Sequence, residues 1–94
     1  MNLKILGADY NISLVENLSD NNAGETDFVE KTIRIVNDKD EDLEQILRHE
    51  IMHAFFYECG LMKYAEDEVL VDFLAMQFDK LKHLMGAISE RGKH

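Results

Sequence analysis

Apolar residues near the N-terminus recur at alternate positions. They form two runs, Leu3 and Ile5 and then Tyr10, Ile12 and Leu14. Alternation with a period of two is typical of a strand that buries one face, and the sequence GAD at residues 7–9 interrupts it with a turn-forming glycine. The segment therefore predicts two short strands or one bent strand.

The polar stretch NLSDNNAGE at residues 17–25 has the composition of a loop. Behind it, TDFV and TIRIV are separated by Glu30 and Lys31, as the two arms of a hairpin would be. The β-branched residues of TIRIV suit a strand. Residues 1–37 are therefore predicted to contain strands and a hairpin.

From residue 41 onwards the apolar spacing becomes that of amphipathic helices. A first helix is predicted over residues 41–59, with Asp38 or Asp40 as its N-cap and Gly60 as the left-handed residue just past its end. A second helix is predicted over residues 66–85, after a loop of sequence LMKYA. The remaining residues, 86–94, are predicted to be a mobile tail.

The chain has no proline and no repeated or low-complexity segment, and its 94 residues suffice for one hydrophobic core. We therefore expect a single domain over residues 1–94. Strands followed by helices predict an α+β fold, in which a small antiparallel or mixed sheet from the N-terminal strands packs on the two helices.

Nineteen acidic and ten basic residues give a formal charge of -9, and no Lys/Arg cluster is present. This charge argues against nucleic acid and anionic membranes as partners. The longest apolar stretches, AFFY and VLV, are too short to span a bilayer, and the N-terminus does not resemble a signal peptide. These features predict a cytoplasmic protein. The single cysteine, Cys59, excludes a Cys-rich zinc cage, so a metal would need His and carboxylate ligands.

Such ligands are present in HEIMH at residues 49–53, inside the first predicted helix. The i, i+4 spacing places His49 and His53 on one helix face, where both can reach a single Zn²⁺ ion. Glu50 is rotated by about 100° from His49, so it lies beside the metal and suits a base that acts on zinc-bound water.

Catalytic zinc takes three protein ligands, so a third donor is needed. Cys59 is predicted to face away from the metal and to be a core thiol. Glu68, early in the second helix, can project towards the first helix, and Asp72 follows one turn later on the same face. From this position, Asp72 is predicted to fix the tautomer of a ligand histidine. Glu66 is the less favoured candidate, because Leu70 occupies the place of such a supporting acid.

HEIMH together with EVLVD resembles the gluzincin zinc peptidases, whose third ligand is a Glu with a supporting acid four residues later. The chain is most similar to the small single-domain kind, the minigluzincins and the ImmA/IrrE-like metallopeptidases common in phages and mobile elements. In the latter the second motif reads Glu-x-x-Ala-Asn/Asp-x-Phe-Ala, and EVLVDFLA departs from it at Val71 and Leu74. The resemblance covers residues 41–80.

The resemblance implies a zincin-like fold whose edge strand, TDFV or TIRIV, holds an extended peptide substrate. It implies that His49, His53 and Glu68 bind zinc, that Glu50 is general base and acid, and that Asp72 orients a ligand. The residue that stabilises the oxyanion in gluzincins has no assigned position here. Tyr64 and Tyr57 are candidates, and His83 lies farther along.

These residues predict a zinc metalloendopeptidase. A further hypothesis is that residues 87–94 occupy the cleft and keep the isolated protein latent, with His94 reaching the metal. The alternative is a catalytically weak or inactive zinc-binding regulatory module of phage type. A third interpretation is a metal-free helical interaction protein that uses the apolar residues of AFFY and LM as its contact surface.

Overall fold

The computed structural model describes residues 1–38 and 40–91. It has four strands and three helices: β1 (Asn2–Ile5), β2 (Ala8–Val15), β3 (Gly24–Asp27), β4 (Thr32–Val36), α1 (Leu43–Glu58), α2 (Met62–Ala65) and α3 (Glu68–Arg91). A single 3₁₀ turn at Ser19–Asn21 lies in the predicted loop. The predicted α+β class is confirmed.

The four strands form one mixed sheet in the order β1-β2-β4-β3. β2 pairs parallel with β4, whereas β1 and β3 pair antiparallel with their neighbours. A tight turn with positive φ at Leu6 and Gly7 separates β1 from β2, so the N-terminal segment forms two strands. The hairpin forms as well, and it leaves β3 as a free edge while β4 is internal.

The hairpin turn begins earlier than the sequence TDFV suggests. The Asp27 carboxylate accepts hydrogen bonds from the backbone N–H groups of Val29 and Glu30, at 3.0 and 2.9 Å. This Asx-type turn ends the strand at Asp27, because the side chain bonds the backbone groups that follow. Phe28 and Val29 therefore lie in the turn, and β3 instead begins at Gly24.

One face of the sheet packs against α1 and forms the core. Its buried residues alternate along the strands as the sequence predicts, and together with one residue of α1 they are Ile5, Tyr10, Ile12, Ile33, Ile35 and Ala54. Leu43, Ile46, Leu47 and Ile51 of α1 complete this layer. The sheet thus fixes α1, the helix that carries the two histidines.

The ends of α1 differ in part from the prediction. Asp42 is the N-cap, because its carboxylate accepts from the Gln45 N–H at 3.1 Å. Asp38 instead accepts from the N–H of Asp40, so neither of the two predicted capping residues caps the helix. Gly60 has φ +79°, the left-handed conformation expected just past the helix end.

Cys59 is exposed, so the prediction of a core thiol is wrong. It is the C-cap of α1, where the chain turns through Gly60 and no longer follows the buried face of the helix. The helix periodicity that placed it in the core does not extend to a capping residue.

α3 extends beyond the predicted second helix. It begins at Glu68, where the Asp67 carboxylate accepts from the Leu70 N–H at 3.0 Å, and it continues through Gly86 to Arg91. The part of the predicted tail up to residue 91 is therefore helical, and residues 92–94, including His94, lie outside the described residues. The predicted loop after Gly60 contains the short helix α2. None of the described helices is long and apolar enough to cross a membrane.

Candidate metal centre

Three side chains from two helices converge at one point. His49 and His53 lie one turn apart on α1, and Glu68 reaches them from the first turn of α3. The His49 Nε2 and His53 Nε2 atoms are 3.1 Å apart. Glu68 places Oε2 3.0 Å from His49 Nε2 and Oε1 3.1 Å from His53 Nε2.

The second ring nitrogen of each histidine faces an oxygen atom. His53 Nδ1 donates a short hydrogen bond to the carbonyl oxygen of Ala65, in α2. His49 Nδ1 lies 3.4 Å from Oδ1 of Asp72, one turn after Glu68 on α3. A proton held on Nδ1 leaves the lone pair of Nε2 directed at the cluster. With the proton on each Nδ1, both Nε2 atoms are acceptors.

In these tautomers the cluster consists of acceptors alone. Two imidazole lone pairs and a carboxylate repel one another at these separations unless a cation or a proton lies between them. Two ligands bound tetrahedrally to zinc at about 2.0–2.1 Å are about 3.3 Å apart, close to the separations found here. His49, His53 and Glu68 can therefore hold a metal ion.

Comparison of the chain with protein-family models, curated proteins and solved structures gives no match. What the cluster can do follows from its own donor atoms, their spacing and their surroundings.

Glu50 lies beside the cluster and is 7% exposed. The Thr26 hydroxyl donates to Glu50 Oε1 at 2.8 Å, and it also lies 3.0 Å from the Glu50 carbonyl oxygen. Burial raises the pKa of the Glu50 carboxyl, and the Glu68 charge acts in the same direction, whereas Thr26 and the two histidines oppose the shift. Without a metal ion, the carboxylate of Glu50 is therefore fixed in position beside the cluster and has an increased affinity for a proton.

Gly24 of β3 makes room for this carboxylate. A Cβ atom at Gly24 would lie 3.0 Å from both Glu50 Cγ and Ile46 Cγ2, and 3.1 Å from Glu50 Oε2. The absence of a side chain at Gly24 therefore lets the edge strand approach α1 closely.

Gly24→Ala is expected to lower the free energy of unfolding by about 1–3 kcal/mol, because the added methyl group overpacks the contact with α1. Gly86→Ala is the matched control, since a Cβ there meets nothing within 4 Å. It should stabilise α3 by about 0.5–1 kcal/mol. Urea denaturation of both variants measures the two effects, and a Gly24 variant as stable as the wild type would contradict the close contact.

The cluster opens into a cleft of about 640 Å³ between α1, the start of α3 and the edge strand β3. Gly24, Thr26 and Phe28 line it on the strand side, and Glu66 and Glu68 line it on the other. The cleft is large enough to admit a segment of polypeptide next to Glu50 and the cluster.

The structure brings together His49, His53, Glu68, Glu50 and Asp72, all of which the sequence predicted to share one site. Glu66 lies on the cleft rim, but it is not part of the cluster.

Neither candidate for the oxyanion is among the residues that line the cleft. Tyr57 is stacked on Phe28 with ring centroids 4.4 Å apart, and Tyr64 packs near Phe56. Both tyrosine assignments stay predictions. His83 is exposed, in the last turns of α3.

Thr26, Gly24 and the Ala65 carbonyl were not predicted from the sequence. Neither Thr26 nor Gly24 belongs to a sequence motif, and each is separated from Glu50 by more than 20 residues of chain. Ala65 contributes a backbone atom, so its side-chain type carries no signal. Only the tendency of a ligand histidine to have a partner at its second nitrogen indicates that such an acceptor exists.

Proposed function

We propose that the protein is a zinc-dependent peptidase of gluzincin type. The observation that carries the proposal is the position of Glu50. Its buried carboxylate accepts a hydrogen bond from Thr26 and lies next to the His-His-Glu cluster. It also lines a cleft that is large enough for a peptide. A purely structural metal site needs no base at that place.

Zinc suits the donor set, because two imidazole nitrogens and one carboxylate leave a fourth tetrahedral position free, as catalytic zinc sites do. When bound, a zinc ion polarises a carbonyl group and lowers the pKa of water to about 7. The Ala65 carbonyl accepts from His53 Nδ1, and Asp72 is near enough to His49 Nδ1 to accept from it once zinc is bound. They keep both Nε2 lone pairs available for the ion.

The carboxylate of Glu50 takes a proton from the attacking water as the water oxygen bonds to the carbonyl carbon of the scissile peptide. It then delivers this proton to the amide nitrogen as the C–N bond breaks, which gives a carboxylic acid and an amine, and transfer of the acid proton to the amine leaves a carboxylate and an ammonium group. Thr26 keeps the carboxylate aimed into the cleft.

The edge strand β3 is suited to hold the peptide as an added strand. The Val36 N–H donates to the Ala23 carbonyl, so in the antiparallel ladder Glu25 and Asp27 are the residues that bond to β4. The backbone groups of Gly24 and Thr26 therefore point to the free edge. These two residues also contact Glu50, and a peptide paired with them would pass directly beside it.

Asp72→Ala is expected to weaken zinc binding by about 10–100-fold, because His49 loses the acceptor at Nδ1. Asp72→Asn keeps an acceptor oxygen without the charge, so its loss should be smaller. Competition with a chromophoric chelator measures both affinities. Unchanged zinc affinity in Asp72→Ala would show that Asp72 does not support the ligand.

The direct test of the proposal is cleavage of a mixed peptide library by the zinc-loaded protein, with new termini identified by mass spectrometry. Chelated protein is the control. New termini that need zinc are expected, and their absence would contradict hydrolysis.

The alternative is a zinc-binding interaction module without significant activity. Phe55, Leu61, Met62 and Tyr64, at the end of α1 and in α2, are each more than 40% exposed, and they provide an apolar surface for a protein partner. Zinc binding without any cleavage would favour this alternative.

A further inference from the structure

The charges around the proposed peptide site are strongly one-sided. The residues that line the cleft include five acids, Glu25, Glu50, Glu66, Glu68 and Asp72, and none of the described residues that line it is Lys or Arg. Glu68 and Asp72 face the histidines and Glu50 faces the reacting group. Glu25 and Glu66 remain to act on a substrate.

The edge strand itself adds a second acidic position. β3 has the sequence GETD, and period-two alternation places Gly24 and Thr26 on the α1 face, with Glu25 and Asp27 on the outer face. Arg34 of β4 contacts Glu25 Oε1 at 2.7 Å, which leaves Glu25 Oε2 for a further donor. The Asp27 carboxylate accepts only backbone N–H groups among the described contacts.

A peptide strand added to β3 would alternate in the same way. Residues on its inner face would point towards Glu50 and the cluster. Residues on its outer face would be the cross-strand neighbours of Glu25 and Asp27, where opposite charges attract and like charges repel. The two outer-face positions are two residues apart in the peptide.

We propose that the edge strand β3 selects peptides with Lys or Arg at two positions that are two residues apart, one facing Glu25 and the other facing Asp27. The inference rests on the proposed function only in that the cleft binds an extended peptide. It does not require that the peptide is cleaved.

The experiment measures binding of fluorescent octapeptides to zinc-loaded Glu50→Gln protein by anisotropy. One neutral sequence carries Lys, Gln or Glu at two alternate positions, and the pair is moved along the peptide to sample every register. At low salt the best Lys peptide is expected to bind about tenfold more tightly than its Glu counterpart. At 1 M salt, where the Debye length is about 3 Å, the difference should largely disappear.

Asp27→Asn tests whether the edge strand is responsible. Asparagine keeps the acceptor oxygen for the turn and removes the charge, so the Lys preference should fall by about two- to fivefold at low salt. Glu16→Gln is the matched control, because Glu16 is an exposed acid beyond the end of β2, two strands from β3. It should leave the preference unchanged.

Equal binding of the Lys and Glu peptides overturns the inference, and so does an equal loss in both variants, which would indicate only the net charge of the protein. A Lys preference without cleavage by the wild type would leave this inference standing and contradict the proposed hydrolysis. Cleavage of neutral peptides without a Lys preference would support the proposed hydrolysis and overturn this inference. If no peptide binds, both proposals fail.

Discussion

Glu50→Gln is expected to reduce kcat/KM for peptide hydrolysis by about 10²–10⁴-fold while zinc remains bound, because the variant lacks the group that takes the proton from water. Glutamine has nearly the same shape as glutamate. Its amide oxygen can still accept the hydrogen bond from Thr26, and Gly24 leaves the same space for it. The fold and the ligand positions should therefore survive the change.

The rates are measured on a quenched fluorescent peptide chosen from the library experiment, with zinc content determined for every preparation. Glu44→Gln is the matched control, since Glu44 is an exposed acid on the same helix that pairs with Arg48 at the surface. Such pairs contribute little, so this variant should keep wild-type rates. A Glu50→Gln protein that retains zinc and more than about a tenth of the wild-type rate would show that Glu50 is not the base.

The local part of the site could be predicted from the sequence because helix geometry alone determines it. His49 and His53 share a face through their i, i+4 spacing, and Glu68 and Asp72 share another for the same reason. Docking of α1 against α3 then brings these pairs together. That step needed only two helices joined by a short connection, which the sequence also indicates.

The long-range part of the fold could not be predicted in this way. Parallel pairing of β2 with β4 brings together strands that are not consecutive in the chain, and it leaves β3 at one edge of the sheet, next to β4. Only this strand order places Gly24 and Thr26 against Glu50. A pattern of hydrophobic residues specifies which face of a strand is buried, but it does not specify which strand is its neighbour.

Glu68→Ala is expected to abolish most of the stabilisation that zinc gives to the fold. At zinc concentrations 100 times the wild-type Kd, binding should stabilise the wild type by about 2.7 kcal/mol. Loss of a direct ligand should cost more than the roughly 10–100-fold that loss of a supporting partner costs. A 100-fold weaker site at the same zinc concentration leaves about 0.4 kcal/mol.

Without zinc, the variant and the wild type should be almost equally stable. The Glu68 side chain is 71% exposed, and exposed substitutions usually change stability by less than about 0.5 kcal/mol. The effect is therefore visible as a difference in zinc response and not in basal stability. For a domain of this size, the wild-type melting temperature should rise by about 10–20 °C with zinc and that of the variant by only a few degrees.

Glu66→Ala is the matched control for metal binding. Glu66 is an exposed glutamate only two residues away on the same cleft rim, yet it is not part of the cluster of donor atoms. Its zinc-dependent shift in melting temperature should equal that of the wild type. If the two variants respond alike, Glu68 is not a ligand. If Glu66→Ala alone loses the response, the first turn of α3 must rearrange when zinc binds, so that the carboxylate of Glu66 replaces that of Glu68.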